Sequence, residues 1–191
     1  MRSIVCAAIV ALALSSATPL QATVVTPIGV PDLVGQAALI VRGRITDLRA
    51  VIPPEGGIAT MATVAVTTTL KGDAGPFVAV RVPGGVIGRD RVVTIGAPVL
   101  RIDEEAIFFL ERGPDHLWQP LGLSAGVVAV RADAVSGAPV VMPPVLAGRT
   151  ASVGPVVRGD VRRRPMAVES FESIVRIVLA AQRGVKTRAA R

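Results

Sequence analysis

Ile58-Ala59-Thr60-Met61-Ala62-Thr63-Val64-Ala65-Val66-Thr67-Thr68-Thr69-Leu70 alternates along its length. Met61, Thr63, Ala65, Thr67 and Thr69 fall on one parity, and Ala62, Val64, Val66, Thr68 and Leu70 on the other. A period of two sends successive side chains to opposite faces of an extended chain, so the segment predicts a strand. Lys71-Gly72-Asp73-Ala74-Gly75-Pro76 follows as a tight polar turn. Phe77-Val78-Ala79-Val80-Arg81-Val82 is then a second strand, stopped by Pro83-Gly84-Gly85. Upstream, Pro53-Pro54-Glu55-Gly56-Gly57 is a strong turn signal. Before it, residues 38–50 form a long strand in which Leu39, Val41 and Ile45 partly alternate with Arg42, Arg44 and Arg49.

Further strands are expected at 91–95, 106–111, 118–121 and 127–131, with a weaker one over 139–146. About seven short strands with Gly/Pro turns and no intervening helical periodicity point to a β-barrel or sandwich. The expected fold is mainly all-β: an OB-like or small β-barrel domain over 38–147, followed by one amphipathic helix. Residues 23–37 are an extended lead-in, in which Pro31 to Ala37 forms a helical turn. Residues 148–165 have the Gly, Arg, Ser and Val content of a linker. Val168, Phe171, Ile174, Val175, Val178 and Leu179 keep helical spacing, which predicts a helix over 166–183. Glu169 and Glu172 suit its N-terminal dipole end, and Arg183 before Gly184 suits its stop. Residues 184–191 are expected to be a disordered basic tail.

The N-terminus carries the pattern of an export signal. Met1-Arg2 is a short positive region, and residues 4–14 are an unbroken apolar run. Ser15-Ser16-Ala17-Thr18-Pro19 breaks it, and Leu20-Gln21-Ala22 ends on a small residue. The run is short of the roughly 20 residues that a spanning helix needs. A signal peptide over 1–22, cut after Ala22, is therefore expected, with cutting after Ala17 as the alternative. The mature chain would be periplasmic or secreted and would hold no transmembrane helix.

Cysteine content sharpens this. The single cysteine, Cys6, would leave with the signal. The mature chain then has neither a disulfide nor a thiolate for a metal, and its core is held by packing. Val-rich composition favours strands. Asn is absent, Lys is confined to Lys71 and Lys186, and Gly and Pro are abundant, which fits a GC-rich bacterial genome. Residues 23–156 hold eleven basic and eleven acidic residues, whereas 157–191 hold nine basic residues against Asp160, Glu169 and Glu172. The net charge of +7 thus belongs mostly to the C-terminal segment. That segment, with Arg162-Arg163-Arg164, is the expected contact for a protein or an anionic envelope partner, or else a solvated flank of a docked helix. Nucleic acid is not an expected partner outside the cytoplasm.

Gly122-Leu123-Ser124-Ala125-Gly126 spells G-x-S-x-G, a nucleophile-elbow pattern that needs a following helix and a histidine base. Here Val127-Val128-Ala129-Val130-Arg131 follows, a strand pattern, and the one histidine, His116, precedes the serine. A set of Ser124, His116 and Asp115 is the remaining hydrolase option. A glycine-flanked β-turn and a solvated loop histidine explain the same residues. Asp103-Glu104-Glu105 lacks calcium-loop spacing and reads as a charged turn. With one His, zinc has too few ligands. There is no P-loop and no GxGxxG, and no helix is expected after Gly84-Gly85 to Gly88 to cradle phosphate. No residue is assigned a catalytic, cofactor or metal role, and no cofactor is expected.

The order Val41-x-Gly43-x-Ile45, Val64-x-Val66 to Leu70-Lys71-Gly72, Val80-x-Val82-Pro83-Gly84-Gly85, Gly96-Ala97-Pro98, Glu105 with Phe108-Phe109-Leu110, then Gly122-Leu123 and Gly126 resembles a group of uncharacterised secreted bacterial proteins. More distantly, the strand leading to Leu70-Lys71-Gly72 resembles netrin/TIMP-like modules, which are OB-type five-stranded barrels. The resemblance covers residues 38–131. It implies a barrel but no site: metalloprotease inhibitors of that type place an N-terminal cysteine on zinc, and this mature chain would have none. The expected function is an exported, non-catalytic barrel that binds a protein or envelope component. The alternatives are an exported serine hydrolase, or an inhibitor or companion of a secreted protease.

Overall fold

The structure is a computed structural model that describes residues 28–143 and 164–189. The expected signal at 1–22 and most of the expected linker at 148–165, with Arg162 and Arg163, lie outside the described residues. The order is α1 (Val30–Gln36), β1 (Leu39–Val51), β2 (Ala59–Lys71), β3 (Phe77–Pro83), β4 (Gly85–Ile87), β5 (Asp90–Val92), β6 (Glu105–Arg112), β7 (Trp118–Pro120), a 3-10 turn (Leu123–Gly126), β8 (Val127–Ala132), β9 (Pro139–Val141), β10 (Met166–Ala167) and α2 (Val168–Ala189).

Five of these strands close a barrel. β1 pairs antiparallel with both β2 and β6, β2 with β3, and β6 with β7; β3 then meets β7 in parallel. The ring order β1-β2-β3-β7-β6 is the OB-like order. β1 uses one edge for β2 and the other for β6, and its ladder with β2 carries register shifts at Ile40/Val41, Arg42/Gly43 and Ile45/Asp47, which bend and coil the strand. Gly43 permits that coil. A Cβ there would stand 2.5 Å from the Ala65 carbonyl oxygen and 2.6 Å from Val64 Cγ1.

Two cores lie on either side of the barrel wall. Inside are Val41, Ile45, Val64, Val80, Phe108 and Leu110, among others. Outside, Ile40, Ile107 and Phe109 face a second cluster with Leu33 of α1 and Phe171 and Val175 of α2. β6 is buried on both faces, which is why Ala106-Ile107-Phe108-Phe109-Leu110 is continuously apolar rather than alternating. β8 and β7 share one edge of β6 in tandem: Ala106 to Phe108 pair with β8, and Leu110 to Arg112 with β7. β9 and β10 continue outward from β8.

The C-terminal helix is docked. Val168, Phe171, Val175 and Leu179 are buried, and Ile174 and Val178 pack beside them. The Phe171 and Phe109 rings meet edge to face at 6.4 Å. Gln182 Nε2 donates to the Pro31 carbonyl at 2.9 Å, tying α2 to α1. No helix among the described residues is long and apolar enough to cross a membrane.

Several elements differ from their sequence expectation. Gly184 does not stop α2, which continues through Ala189 into the expected disordered tail. A glycine costs a helix only about 1 kcal/mol, and no αL turn forms at this one. Pro83-Gly84-Gly85 ends β3 but leads directly into β4, a strand too short to show a period. The strand expected at 91–95 shrinks to Asp90–Val92 because its only partner among the described residues is the three-residue β4. The Gly122–Gly126 turn is a 3-10 turn rather than a β-turn, with Leu123 at φ 59°.

Candidate binding cleft

The largest departure from a fully paired barrel is the seam between β3 and β7, whose parallel ladder holds the single pair Val80↔Trp118. The neighbouring ladders fix which backbone groups face this seam. Gly84 N–H donates to the Ile58 carbonyl and Val66 N–H to the Pro76 carbonyl. With Val82↔Thr60 and Val80↔Ala62 between them, Val82 and Val80 point to β2, and Arg81 and Pro83 point to β7. On β7, Gly113 N–H donates to the Leu117 carbonyl and Leu121 N–H to the Phe109 carbonyl. That turns Leu117, Gln119 and Leu121 toward β6, and leaves Trp118 and Pro120 facing β3.

Continuing the parallel ladder past Val80↔Trp118 would need an N–H from position 120 to the Arg81 carbonyl, then one from position 83 to the Pro120 carbonyl. Both positions are proline, which has no N–H. The ladder stops there for a covalent reason. The Arg81 and Pro120 carbonyls are left without a ladder donor.

A cavity of about 420 Å³ opens at this point, and its lining includes Arg81, Pro83, Gly84, Gln119, Pro120 and Leu123. The β1–β2 turn forms one lip, with Gly56 at φ 88° and Gly57 at φ 78°. Its walls are mainly apolar, from Pro53, Ile58, Val92 and Leu123. Arg81 is mostly buried and is held between Glu55 at 2.6 Å and Asp115 at 2.8 Å. Glu111 accepts from Gln119 Nε2 at 3.3 Å. One guanidinium thus stands among three carboxylates, and the residual charge around the cleft is negative.

Beyond Gly84 lies a second recess of about 410 Å³, lined by Val82, Val86, Val92 and Leu100 among others. Around it the β4–β5 hairpin and the loop into β6 expose a group of large apolar side chains, with Val93 at 70%, Ile95 at 89% and Val99 at 76% of full exposure. The chain matches no known protein family, and no curated protein sequence matches it either.

The hydrolase residues are not assembled. Ser124 and His116 are both exposed, and the extended strand β7 separates them by about 10 Å of chain. Asp115 turns to Arg81 and to the Leu117 N–H at 3.2 Å, and no hydrogen bond joins it to His116 among the described residues. His116 sits at φ 60° in a turn, its carbonyl accepting from Arg112 Nη1 at 2.5 Å.

The two glycines of the G-x-S-x-G pattern have packing reasons instead. Gly122 is left-handed, at φ 61°, and a Cβ on it would lie 2.6 Å from Ile28 Cδ1. A Cβ on Gly126 would strike the Leu121 backbone and approach the Phe109 carbonyl oxygen to 2.9 Å. Gly126 therefore lets the chain pass close to β6 at Phe109.

The acidic run 103–105 is taken up by arginines: Glu105 pairs with Arg42 at 2.6 Å and Glu104 with Arg101 at 3.3 Å. The Asp103 carbonyl accepts from Arg44 at 2.8 Å. No group of acidic or histidine side chains has metal-site geometry among the described residues.

Sequence reading missed the role of Arg42, an arginine on the helix-facing outer side of β1 that gathers Glu105, Glu172 at 3.4 Å and Glu169 at 4.0 Å. Its burial opposes the charge. Hydrogen bonds and attraction from Glu105 and Glu172 outweigh that and hold its pKa above the ordinary value. It also missed the cleft, although Pro83 and Pro120 are visible in the sequence. Their meaning depends on which strands become neighbours.

Proposed function

We propose that this protein is an exported, non-catalytic barrel module that binds a protein or cell-envelope component. The observation that carries the reading is the unzipped β3–β7 seam with its apolar-walled cleft, next to the exposed Val93, Ile95 and Val99. Exposed apolar groups gathered on one hairpin and loop favour a macromolecular partner. The export component rests on the sequence pattern of residues 1–22. The C-terminal segment offers Arg164 as an additional contact for an acidic or anionic partner.

Two measurements test this. A photo-crosslinking residue at Val93, in protein expressed in its native envelope, should capture one defined partner; the same residue at exposed Ile177 on α2 should not. Protein recovered from the periplasm or medium should begin at Thr23. Turnover of any ester, amide or glycoside substrate that Ser124→Ala abolishes would overturn the reading in favour of a hydrolase.

A further inference from the structure

The seam has a chemical polarity that specifies its ligand. At the cleft end of the seam, the two backbone groups whose ladder partners proline removes, the Arg81 and Pro120 carbonyls, are both acceptors. They belong to facing strands, one on each side of the gap. Arg81 is already satisfied by Glu55 and Asp115, so among the described lining residues the cleft has no free cation to hold a carboxylate or phosphate. The surrounding carboxylates disfavour such ligands further. The walls are apolar, and the volume of about 420 Å³ is at the small end of ligand pockets.

We infer that the cleft receives a short extended peptide segment with small apolar side chains. This inference rests on the binding-module reading and names the ligand class of the same site. In an extended chain, successive N–H groups point to opposite sides. One N–H of the segment donates to the Arg81 carbonyl and the next donates to the Pro120 carbonyl. The segment thereby replaces the two ladder bonds that proline forbids, and its side chains lie against Ile58, Val92 and Leu123. The barrel is completed by strand addition at an internal seam instead of at an outer edge. Proline at both positions also keeps the barrel from zipping shut on itself when the site is empty.

The test uses the full mature chain, labelled with ¹⁵N, and the blocked tripeptide Ac-Val-Ala-Val-NH2 as probe. Amide signals of Arg81, Gly84, Gln119 and Leu123 should shift on titration. The same peptide N-methylated on consecutive residues keeps its side chains but loses the donors, and should bind about tenfold more weakly or worse. Pro120→Ala restores a donor, so the new amide at position 120 should be protected from exchange and peptide affinity should fall by a similar factor. Pro83→Ala provides the same test if Pro120→Ala does not fold.

Equal binding of the N-methylated peptide, or undiminished binding to a variant with a protected new amide, would overturn the proposal. If the cleft amides do not respond while Val93 still crosslinks a partner, the seam assignment fails and the module reading stands. If neither occurs, both fail. Concentration-dependent self-association that blocks the peptide would assign the cleft to a second copy of the chain instead.

Discussion

Arg42 Nη1 of β1 lies 3.4 Å from Glu172 Oε1 of α2, a contact between residues 130 positions apart in the chain. Both side chains are largely buried, at 17% and 8% exposure. Arg42 Nε also donates to Glu105 at 2.6 Å, and Arg176 donates to the other oxygen of Glu172 at 3.0 Å. The network joins the barrel wall to the helix packed on it. No buried side-chain polar atom is left without a partner among the described residues.

Removing one member of that network weakens the others. Glu172→Ala should destabilise the protein by about 1.5–3 kcal/mol in urea unfolding, because Arg42 keeps Glu105 but loses its charge-assisted link to the helix. Arg176 is half exposed, so Arg176→Ala should cost no more than about 1 kcal/mol. Equal losses for the two variants would show that the network is not what holds the helix.

Phe171 is fully buried between α2 and β6. Phe171→Ala should cost about 3–5 kcal/mol through lost burial and the cavity left behind. Hydrogen exchange should rise along α2 before it rises in β1 and β6. Uniform exchange throughout would mean that helix and barrel unfold as one unit.

The G-x-S-x-G segment separates packing from chemistry. Gly126→Ala should destabilise by about 1–3 kcal/mol, since its Cβ has no room beside Leu121 and Phe109. Ser124 is exposed, and Ser124→Ala should stay within about 0.5 kcal/mol of the parent. Thermal unfolding of the two variants side by side gives the comparison.

The β8–β9 turn should respond to acid. The Ser136 backbone N–H, the Ser136 hydroxyl and the Val135 N–H donate to the Asp133 carboxylate and hold its pKa below the ordinary value. A carboxyl with a lowered folded pKa contributes stability above its unfolded pKa, and that stability is lost as pH falls through the folded value. The Ser136 amide resonance should therefore move at a pH below the usual aspartate range. In Asp133→Ala it should not titrate there.

Much of the barrel was legible because a strand's facing is written locally. The parity of residues 58–70 anticipates that Ala62 and Val64 turn into the barrel, while exposed Thr67 and Thr69 look out. The turns flanked by Gly and Pro were equally plain, as was the helical spacing from Val168 to Leu179. β4 was not legible, because three residues carry no period. The extension of α2 past Gly184 was missed because one glycine weakens a helix without ending it.

The sequence by itself determined the longer strands, the apolar stripe of α2 and the presence of a single histidine. These depend on residue type and short-range spacing, which need no knowledge of neighbours. Only the tertiary structure decided that Arg42 and Glu172 share one network, that Asp115 turns to Arg81 instead of His116, and that Pro83 and Pro120 face each other across a seam. Each is a meeting of distant segments, and it is fixed by which strands pair and in what register. A proline alone reads as a break; two prolines on facing strands make an opening.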